Sequence, residues 1–357
     1  MATSETQEVG AGMATGRIAI GIDVGGSGIK AAVVDVESGR LRSERLRVPT
    51  PQPSTPARVA ASISRLVRRL ARETGISATA PLGVGLPGVA VGGRLLTAAN
   101  IDPSWTDYPI ADELTTALGR PVTIVNDADA AGIAEMRFGV GAGRRGVVIF
   151  LTLGTGVGSG TFVDGRLVPN TEFGQLEIRG RAAERRSAAA ARTRRGLSWK
   201  AWAMDLDEHL GRIEDLMWPE LMIIGGGVSK NADKFLPRLT RRTPIVPATL
   251  RNDAGIIGAA IVAAEGLADA SNTADDVIAA LIHAPDHDHV MPSNDGRGDG
   301  SGDGVAPAPE PTPEPKRAPD PAPRPKSRPK RAPKPAPEPA PAPDGPDDRT
   351  AAPSKHD

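Results

Sequence analysis

Three glycine-rich turns and one carboxylate at a strand end are the residues of this chain that could do chemistry. The first turn lies in Gly21-Ile22-Asp23-Val24-Gly25-Gly26-Ser27-Gly28-Ile29-Lys30, between apolar runs over 18–22 and 29–36. The pattern is strand, tight turn, strand. Glycine admits positive φ and lets successive N–H groups converge on an anion. Asp23 stands at the mouth of that turn, where a carboxylate can hold Mg²⁺ beside a phosphate. The second turn, Leu153-Gly154-Thr155-Gly156-Val157-Gly158, follows an apolar run over 147–153. Thr155 could add a hydroxyl to its N–H groups. The third, Ile224-Gly225-Gly226-Gly227-Val228-Ser229, follows a run over 221–224, with Ser229 placed to cap a following helix.

Between the first two turns lies Ile124-Val125-Asn126-Asp127-Ala128-Asp129, where a strand gives way to a helix. By position alone Asp127 reads equally as a general base and as a helix N-cap. One Gly-rich loop is compatible with an ordinary solvated turn. A phosphate loop, a mid-chain Asp, a second phosphate loop and a late Gly turn, in that order, suit phosphoryl transfer. A further feature bears on the donor. Arg179, Arg181, Arg185, Arg186, Arg192, Arg194 and Arg195 crowd one stretch opposed only by Glu184. Arginine forks match phosphate geometry, so the stretch reads as a track for an extended polyanion or as a solvated Arg-rich helix.

The elements that must position these groups alternate between the two regular periods. Strands are expected over 17–23, 29–36, 41–48, 122–125, 146–153, 156–164 and 221–224. Thr55 is expected to cap an amphipathic helix carrying Val59, Ile63, Leu66, Val67 and Leu70. Further helices are expected over 112–118, 127–138, 181–194, 198–217 and 253–268. A three-strand opening followed by alternating helix and strand occurs twice, which points to an α/β protein of two similar lobes. The lobes are expected over 17–120 and 121–252, with a cleft between them at the strand ends.

Composition limits the function classes. The chain has 357 residues, a formal net charge of +0 and 0 Cys, which excludes disulfides, thiolate metal sites and cysteine nucleophiles. Aromatics are 3%, so the core must rest on Val, Ile, Leu and Ala. No apolar run reaches 18 residues, and 1–16 lacks the basic start and apolar centre of a secretory signal, so a cytoplasmic protein without membrane or specific nucleic-acid partners is expected. Beyond 270 the apolar periodicity fades. Over 307–346 proline recurs at nearly every second or third position, so 271–357, like 1–16, is expected to be disordered. Its basic part from Lys316 to Lys334 reads as a solvated tail or a tether for a polyanion, and deletion of the chain from Ser271 onward is expected to leave turnover at saturating donor nearly intact. The cluster at His287 and His289 is assigned no metal.

These motifs, with Gly85-Leu86-Pro87-Gly88 and Val125-Asn126-Asp127-Ala128, resemble the ROK (repressor, open reading frame, kinase) sugar kinases over about 17–266. Val168-Pro169-Asn170-Thr171-Glu172, Leu197-Ser198-Trp199-Lys200, Val228-Ser229-Lys230 and Lys234-Phe235 are similar to members that use inorganic polyphosphate. The resemblance implies a two-lobed actin-like ATPase (ribonuclease H-like) fold. It implies transfer of a phosphoryl group from polyphosphate to the 6-hydroxyl of glucose, with ATP open as a second donor; the alternatives are a strictly ATP-dependent glucokinase or glucomannokinase, or a non-catalytic relative that binds sugar or polyphosphate. Asp127 would then be the base. Asn100, Asn126, Glu172, Gln175 and Glu184 would join it around the sugar. Asp23, Gly25, Gly26, Ser27, Gly28, Lys30, Gly154, Thr155, Gly156, Gly225, Gly226 and Gly227 would hold the donor, with Mg²⁺ on Asp23 through water. On spacing alone Glu184 reads instead as a helix carboxylate paired with Arg181 or Arg185. A homodimer is also implied. Many members carry a zinc site of several Cys and a His; with 0 Cys none is expected here. Where the family usually has Gly-His after the sugar-binding Glu, this chain has Gly174-Gln175, which bears on sugar choice rather than reaction type. The family's repressors place a helix-turn-helix ahead of the first phosphate loop, and with roughly two dozen residues before Asp23 none is expected here.

Overall fold

Two β-sheets of the same winding, with a pair of helices packed between them, carry this chain in the computed structural model, which describes residues 17–98 and 101–266. Asn100, the segment 1–16 and the tail from 271 lie outside the described residues.

The first sheet begins with β1 (Ile18–Gly25) and β2 (Gly28–Asp35), an antiparallel pair in which Gly25 faces Gly28 and Gly26-Ser27 make the turn. The expected strand over 41–48 is broken into β3 (Arg40–Leu41) and β4 (Leu46–Val48), both paired to β2. Helix α1 (Pro56–Thr74) follows. Thr55 holds its N-cap position but makes no capping hydrogen bond; Pro56, with φ fixed and no N–H to satisfy, starts the helix. Strand β5 (Leu82–Leu86) runs parallel to β1. A small hairpin, β6 (Ala90–Val91) and β7 (Arg94–Leu95), and helix α2 (Ile110–Leu118) lead to β8 (Thr123–Asn126), parallel to β5. Residues 123–126 therefore belong to the first sheet, and the sheet boundary falls after 126 rather than at 120. Helix α3 (Asp127–Phe138) crosses to the second sheet.

That sheet repeats the plan. Strands β9 (Val147–Leu153) and β10 (Val157–Val163) are antiparallel around the second Gly turn, with β11 (Arg166–Val168) on the outer edge. The expected helix over 181–194 does not form as one piece. The chain makes the hairpin β12 (Glu177–Ile178) and β13 (Arg181–Ala182), then the short helices α4 (Glu184–Ser187) and α5 (Ala189–Arg194). Ala188 between them is extended (φ −61°, ψ 150°), which lets the Ala190 N–H reach the Gly154 carbonyl at 3.0 Å. Helix α6 (Trp199–Met217), capped by Ser198, then leads to β14 (Leu221–Gly225), parallel to β9, and β15 (Ile245–Pro247). Between these two strands 227–234 winds as a 3₁₀ helix. Ser229 does not cap it: its hydroxyl donates to the Gly226 carbonyl. Helix α7 (Ala254–Glu265) closes the fold.

Three apolar cores follow. One lies between α1, α2 and the first sheet, one around α3 and α7 between the sheets, and one between the second sheet and α6. Parallel strands β5 and β14 are buried along their whole length because helices cover both faces. Each fully buried Ile or Leu there contributes on the order of 1.5–3 kcal/mol. In the middle core α3 and α7 meet backbone to backbone. A β-carbon on Gly258 would lie 1.6 Å from the Ala130 carbonyl oxygen, so only glycine permits the approach. Among the described residues no helix is long and apolar enough to cross a membrane.

Candidate active site

The two hairpin turns belong to different sheets, yet both open on one cleft of about 300 Å³. Asp23, Gly25, Gly26 and Lys30 line it from the first sheet, and Gly154, Thr155 and Gly156 from the second. Asn126, Asp127, Glu172, Gln175, Glu184 and Gly225, Gly226 and Gly227 line it as well. Two of the expected donor residues do not. The Ser27 carbonyl is turned to the Arg47 guanidinium, which donates to it at 3.1 Å, and a β-carbon on Gly28 would meet the same guanidinium at 2.7 Å. Arg47 thus braces the first turn. Gly154 is also not an open donor, because its N–H is spent on the Gly156 carbonyl at 3.0 Å.

Cross-strand register explains Asp23. It sits opposite Lys30 on β2, and the ammonium donates to its Oδ2 at 2.7 Å. The first turn of α7 abuts it from the other side: a β-carbon on Gly255 would lie 3.1 Å from its Cγ. The ion pair and the helix start fix the direction in which the Asp23 carboxylate points.

Asn126 supplies the cap that Asp127 would otherwise provide. Its Oδ1 accepts from the N–H groups of Ala128 and Asp129 at 2.9 and 3.0 Å, and its Nδ2 donates to the Gly88 carbonyl at 3.0 Å. One amide hydrogen of Asn126 remains for a ligand. Asp127, the first residue of α3, is therefore released to face the cleft. Gly158 makes the approach possible, because a β-carbon there would lie 2.9 Å from the Ala128 Cβ. The Asp127 carboxyl lies deep among protein atoms while still opening to the cleft. Burial first, then the charges of Asp23, Glu172 and Asp129, push its pKa up to about 7 against the pull of the Ala128 N–H.

Glu172 is raised too, by burial and then by the charge of Glu184. Glu184 is not paired with Arg181 or Arg185. Its Oε2 accepts from the Val157 N–H at 3.0 Å, which turns the carboxylate into the cleft at the second Gly turn. Gln175 is exposed there on a single 3₁₀ turn.

Three residues around the loop 170–175 take roles that the sequence motifs did not assign to them. Asp129 is 1% exposed. Its Oδ2 accepts from the Asn170 N–H at 2.8 Å, while Oδ1 has no partner among the described residues. Burial raises its pKa to about 7, the Asn170 N–H opposes this, and the charge of Glu172 adds to it. Asn170 holds φ 58° and exchanges two hydrogen bonds with Ala90, Ala90 N–H to Oδ1 at 2.9 Å and Nδ2 to the Ala90 carbonyl at 3.1 Å. It thereby ties the loop bearing Glu172 to the β6–β7 hairpin of the first half. His209 on α6 is buried, with Nε2 2.9 Å from the Phe173 carbonyl and Nδ1 2.8 Å from the Ser187 hydroxyl. Burial holds its pKa low, so it anchors the loop as a neutral ring.

The expected arginine track is dispersed. Arg179 pairs with Glu208 at 2.8 Å, and Arg186 and Arg195 both pair with Asp205. Burial alone would raise Asp205, but the two guanidinium groups more than reverse it. Arg192 stacks 3.7 Å over Trp199. None of the seven lines the cleft. Among the described residues no group of three or more His, Cys, Asp or Glu could hold a metal ion unaided.

Residues 19–174 match the ROK family. Over 260 residues the chain is 47% identical to a polyphosphate glucokinase of Mycobacterium tuberculosis (strain CDC 1551 / Oshkosh), covering 72% of this chain and 94% of the relative. A crystal structure of an inorganic polyphosphate/ATP-glucomannokinase from Arthrobacter sp. strain KM is similar at TM-score 0.68 and 52% identity, covering 70% of this chain and 99% of that one. A ROK family glucokinase from Streptomyces griseus in complex with glucose and AMPPNP is similar at TM-score 0.61 and 26% identity, covering 70% and 100%.

Proposed function

This chain belongs to the ROK family, and on that premise we propose that it transfers the terminal phosphoryl group of inorganic polyphosphate, and also of ATP, to the 6-hydroxyl of glucose. One observation carries the reading: both Gly hairpins, the late Gly turn and Asp127 share a single cleft. Such a reaction asks for alignment and charge neutralisation more than covalent help.

Glu172, Gln175, Glu184 and the spare amide hydrogen of Asn126 take the ring hydroxyls, and Asn100 joins them on the family pattern. Their unmet hydrogen bonds would penalise a sugar lacking the right hydroxyl. Asp127 accepts the proton of the 6-hydroxyl as that oxygen bonds to the terminal phosphorus. The bridging P–O bond breaks, and glucose 6-phosphate and a donor shortened by one phosphate result. A pKa of about 7 suits a base that must be ionised yet take a proton near neutral pH. The amides of Gly26, Thr155 and Gly156, which make no hydrogen bond within the described residues, face the donor oxygens, with Thr155 adding a hydroxyl. Gly225 to Gly227 border the donor farther out.

A kinase of this kind draws on a divalent cation. Mg²⁺ commonly takes one carboxylate plus substrate phosphates and waters, which fits Asp23 with Oδ2 engaged by Lys30 and no all-protein cage nearby. When bound it would neutralise charge on the donor phosphates. The family resemblance further implies a cytoplasmic homodimer, and sedimentation of the full chain tests the second half of that statement.

A donor panel decides the main reading. Purified protein with glucose should yield glucose 6-phosphate from long-chain polyphosphate and from ATP. Product from ATP alone would leave a plain ATP-dependent glucokinase, and product from neither would end the kinase reading.

A further inference from the structure

A polyphosphate donor has one reacting end and a long remainder, and the remainder needs a way out of the cleft. The arginines over 179–195 do not provide it, since most are held by carboxylates, a tryptophan or backbone. The register of the first sheet does. Asp23 lies opposite Lys30 across β1 and β2, and Lys30 lies opposite Arg47 across β2 and β4. Directly opposed residues share a face, so the three form a row across the sheet. The flanking pairs, Ile29 with Val48 and Ala31 with Leu46, turn to the other face and pack in the core beneath α1. Arg45, two residues before Arg47 in extended chain, returns to the same face as Arg47.

That row leads to a second crevice, of about 610 Å³, formed by the loops around 229–233 and 247–253. Ala248, Arg251 and Asn252 line both this crevice and the catalytic cleft, so the two are continuous. Arg45, Lys230 and Arg251 face it with Asp233 and Asp253. Asp253 is neutralised by Arg45 at 2.5 Å. Among the described residues neither Lys230 nor Arg251 has an ion-pair partner. Arg251 also holds φ 51°, a left-handed backbone that strains a non-glycine residue. Retained strain at the junction of two crevices points to a site.

We propose that the outer phosphates of an extended polyphosphate leave the catalytic cleft past Arg47 and lie in this second crevice against Lys230 and Arg251, a binding site for a linear polyanion distinct from the one that holds the reacting phosphate. The inference rests on the polyphosphate reading above. It requires that chain length, and not chemistry at the reacting end, be what these cations sense. Each phosphate contact releases counterions, so the site also makes the preference for long chains dependent on salt.

Steady-state kinetics of the full chain with glucose, using long-chain polyphosphate and tripolyphosphate as separate donors, provide the test. In Lys230→Glu, KM for the long donor should rise about tenfold and its salt dependence should flatten. The same variant should keep kcat, and should keep KM for tripolyphosphate within about twofold. Lys230→Ala, a change at an exposed side chain, should give the same pattern at about threefold and guards against misfolding of the charge reversal. An unchanged KM for the long donor, or an equal loss with tripolyphosphate, overturns the second site alone. An unaltered protein that uses no polyphosphate of any length overturns the donor reading and this site with it.

Discussion

At the acceptor end of the cleft, Asp127, Asp129 and Glu172 are carboxyl groups sunk among protein atoms, and burial holds all three above the usual carboxylate range. Asp127 and Asp129 are each met by a backbone N–H, from Ala128 and Asn170. At the donor end the lining is Gly26, Gly226 and Gly227, all exposed, with cations that reach solvent. The first end selects by side-chain identity in a poorly solvated place, where one missing partner is costly. The second grips a repeating anion through backbone amides and screened charge, where single side chains count for less. Substitutions should therefore hurt most where the molecule is least accessible.

The largest effect is expected from Asp127→Asn. Turnover should fall by on the order of 10²–10⁴ with KM for glucose little changed, as for loss of a positioned base. If both ends proved equally tolerant of such a change, the contrast would be void. The pH profile gives the same residue a second reading. A base with pKa about 7 is protonated below it, so kcat should decline as pH falls through about 7, far above the range of a free carboxylate. Stability runs in the opposite sense. Asp127 and Asp129 have folded pKa values above the ordinary 3.8, so the native state binds those protons more tightly. The stabilisation they give is full below about pH 4 and is lost as pH rises through about 7. Asp127→Asn should accordingly melt no lower than the parent at pH 8, as followed by calorimetry.

Next comes Glu172→Gln, which should raise KM for glucose by about ten- to a hundredfold and leave KM for either donor alone, the mark of a lost acceptor contact. Asn170→Gly is sharper still as a probe. Glycine keeps the left-handed φ but deletes both bonds to Ala90, each worth about 0.5–1.5 kcal/mol. The expected result is a severalfold rise in KM for glucose alone. The smallest effect belongs to Arg192→Ala. Its stacking on Trp199 carries little energy at a partly exposed site, about 0.5–1 kcal/mol, and KM for polyphosphate should move less than twofold.

The sequence pattern made the two hairpins legible because glycine spacing and apolar runs report backbone geometry directly. Position alone left Asp127 open between a base and a helix cap, and it was the family resemblance that marked Asp127 and Glu172. The pattern did not separate Asn126 from Asp127 as the cap of α3. Both residue types cap helices, and only the tertiary approach of Gly88 decides which one does. The break at Ala188 was invisible for a different reason. An Ala/Arg run holds no breaker, and the chain bends there for a hydrogen bond to Gly154, 36 positions away. Asp129, Asn170 and His209 act through partners far along the chain, at sequence separations that no local pattern encodes. Seven arginines in a row looked like one surface, but their carboxylate partners on α6 were not in view.

The contact of Gly258 with the Ala130 carbonyl has a practical consequence for anyone wishing to retune this protein toward other sugars. Helix α3 carries both Asp127 and that seam, so a methyl group added on the inner face of the helix pair would tilt the reactive oxygen along with it. Libraries directed at 126–135 or 254–262 should consist mostly of dead clones. Diversity placed at Gln175 and its immediate neighbours is where a new acceptor can be sought without disturbing the machine that phosphorylates it.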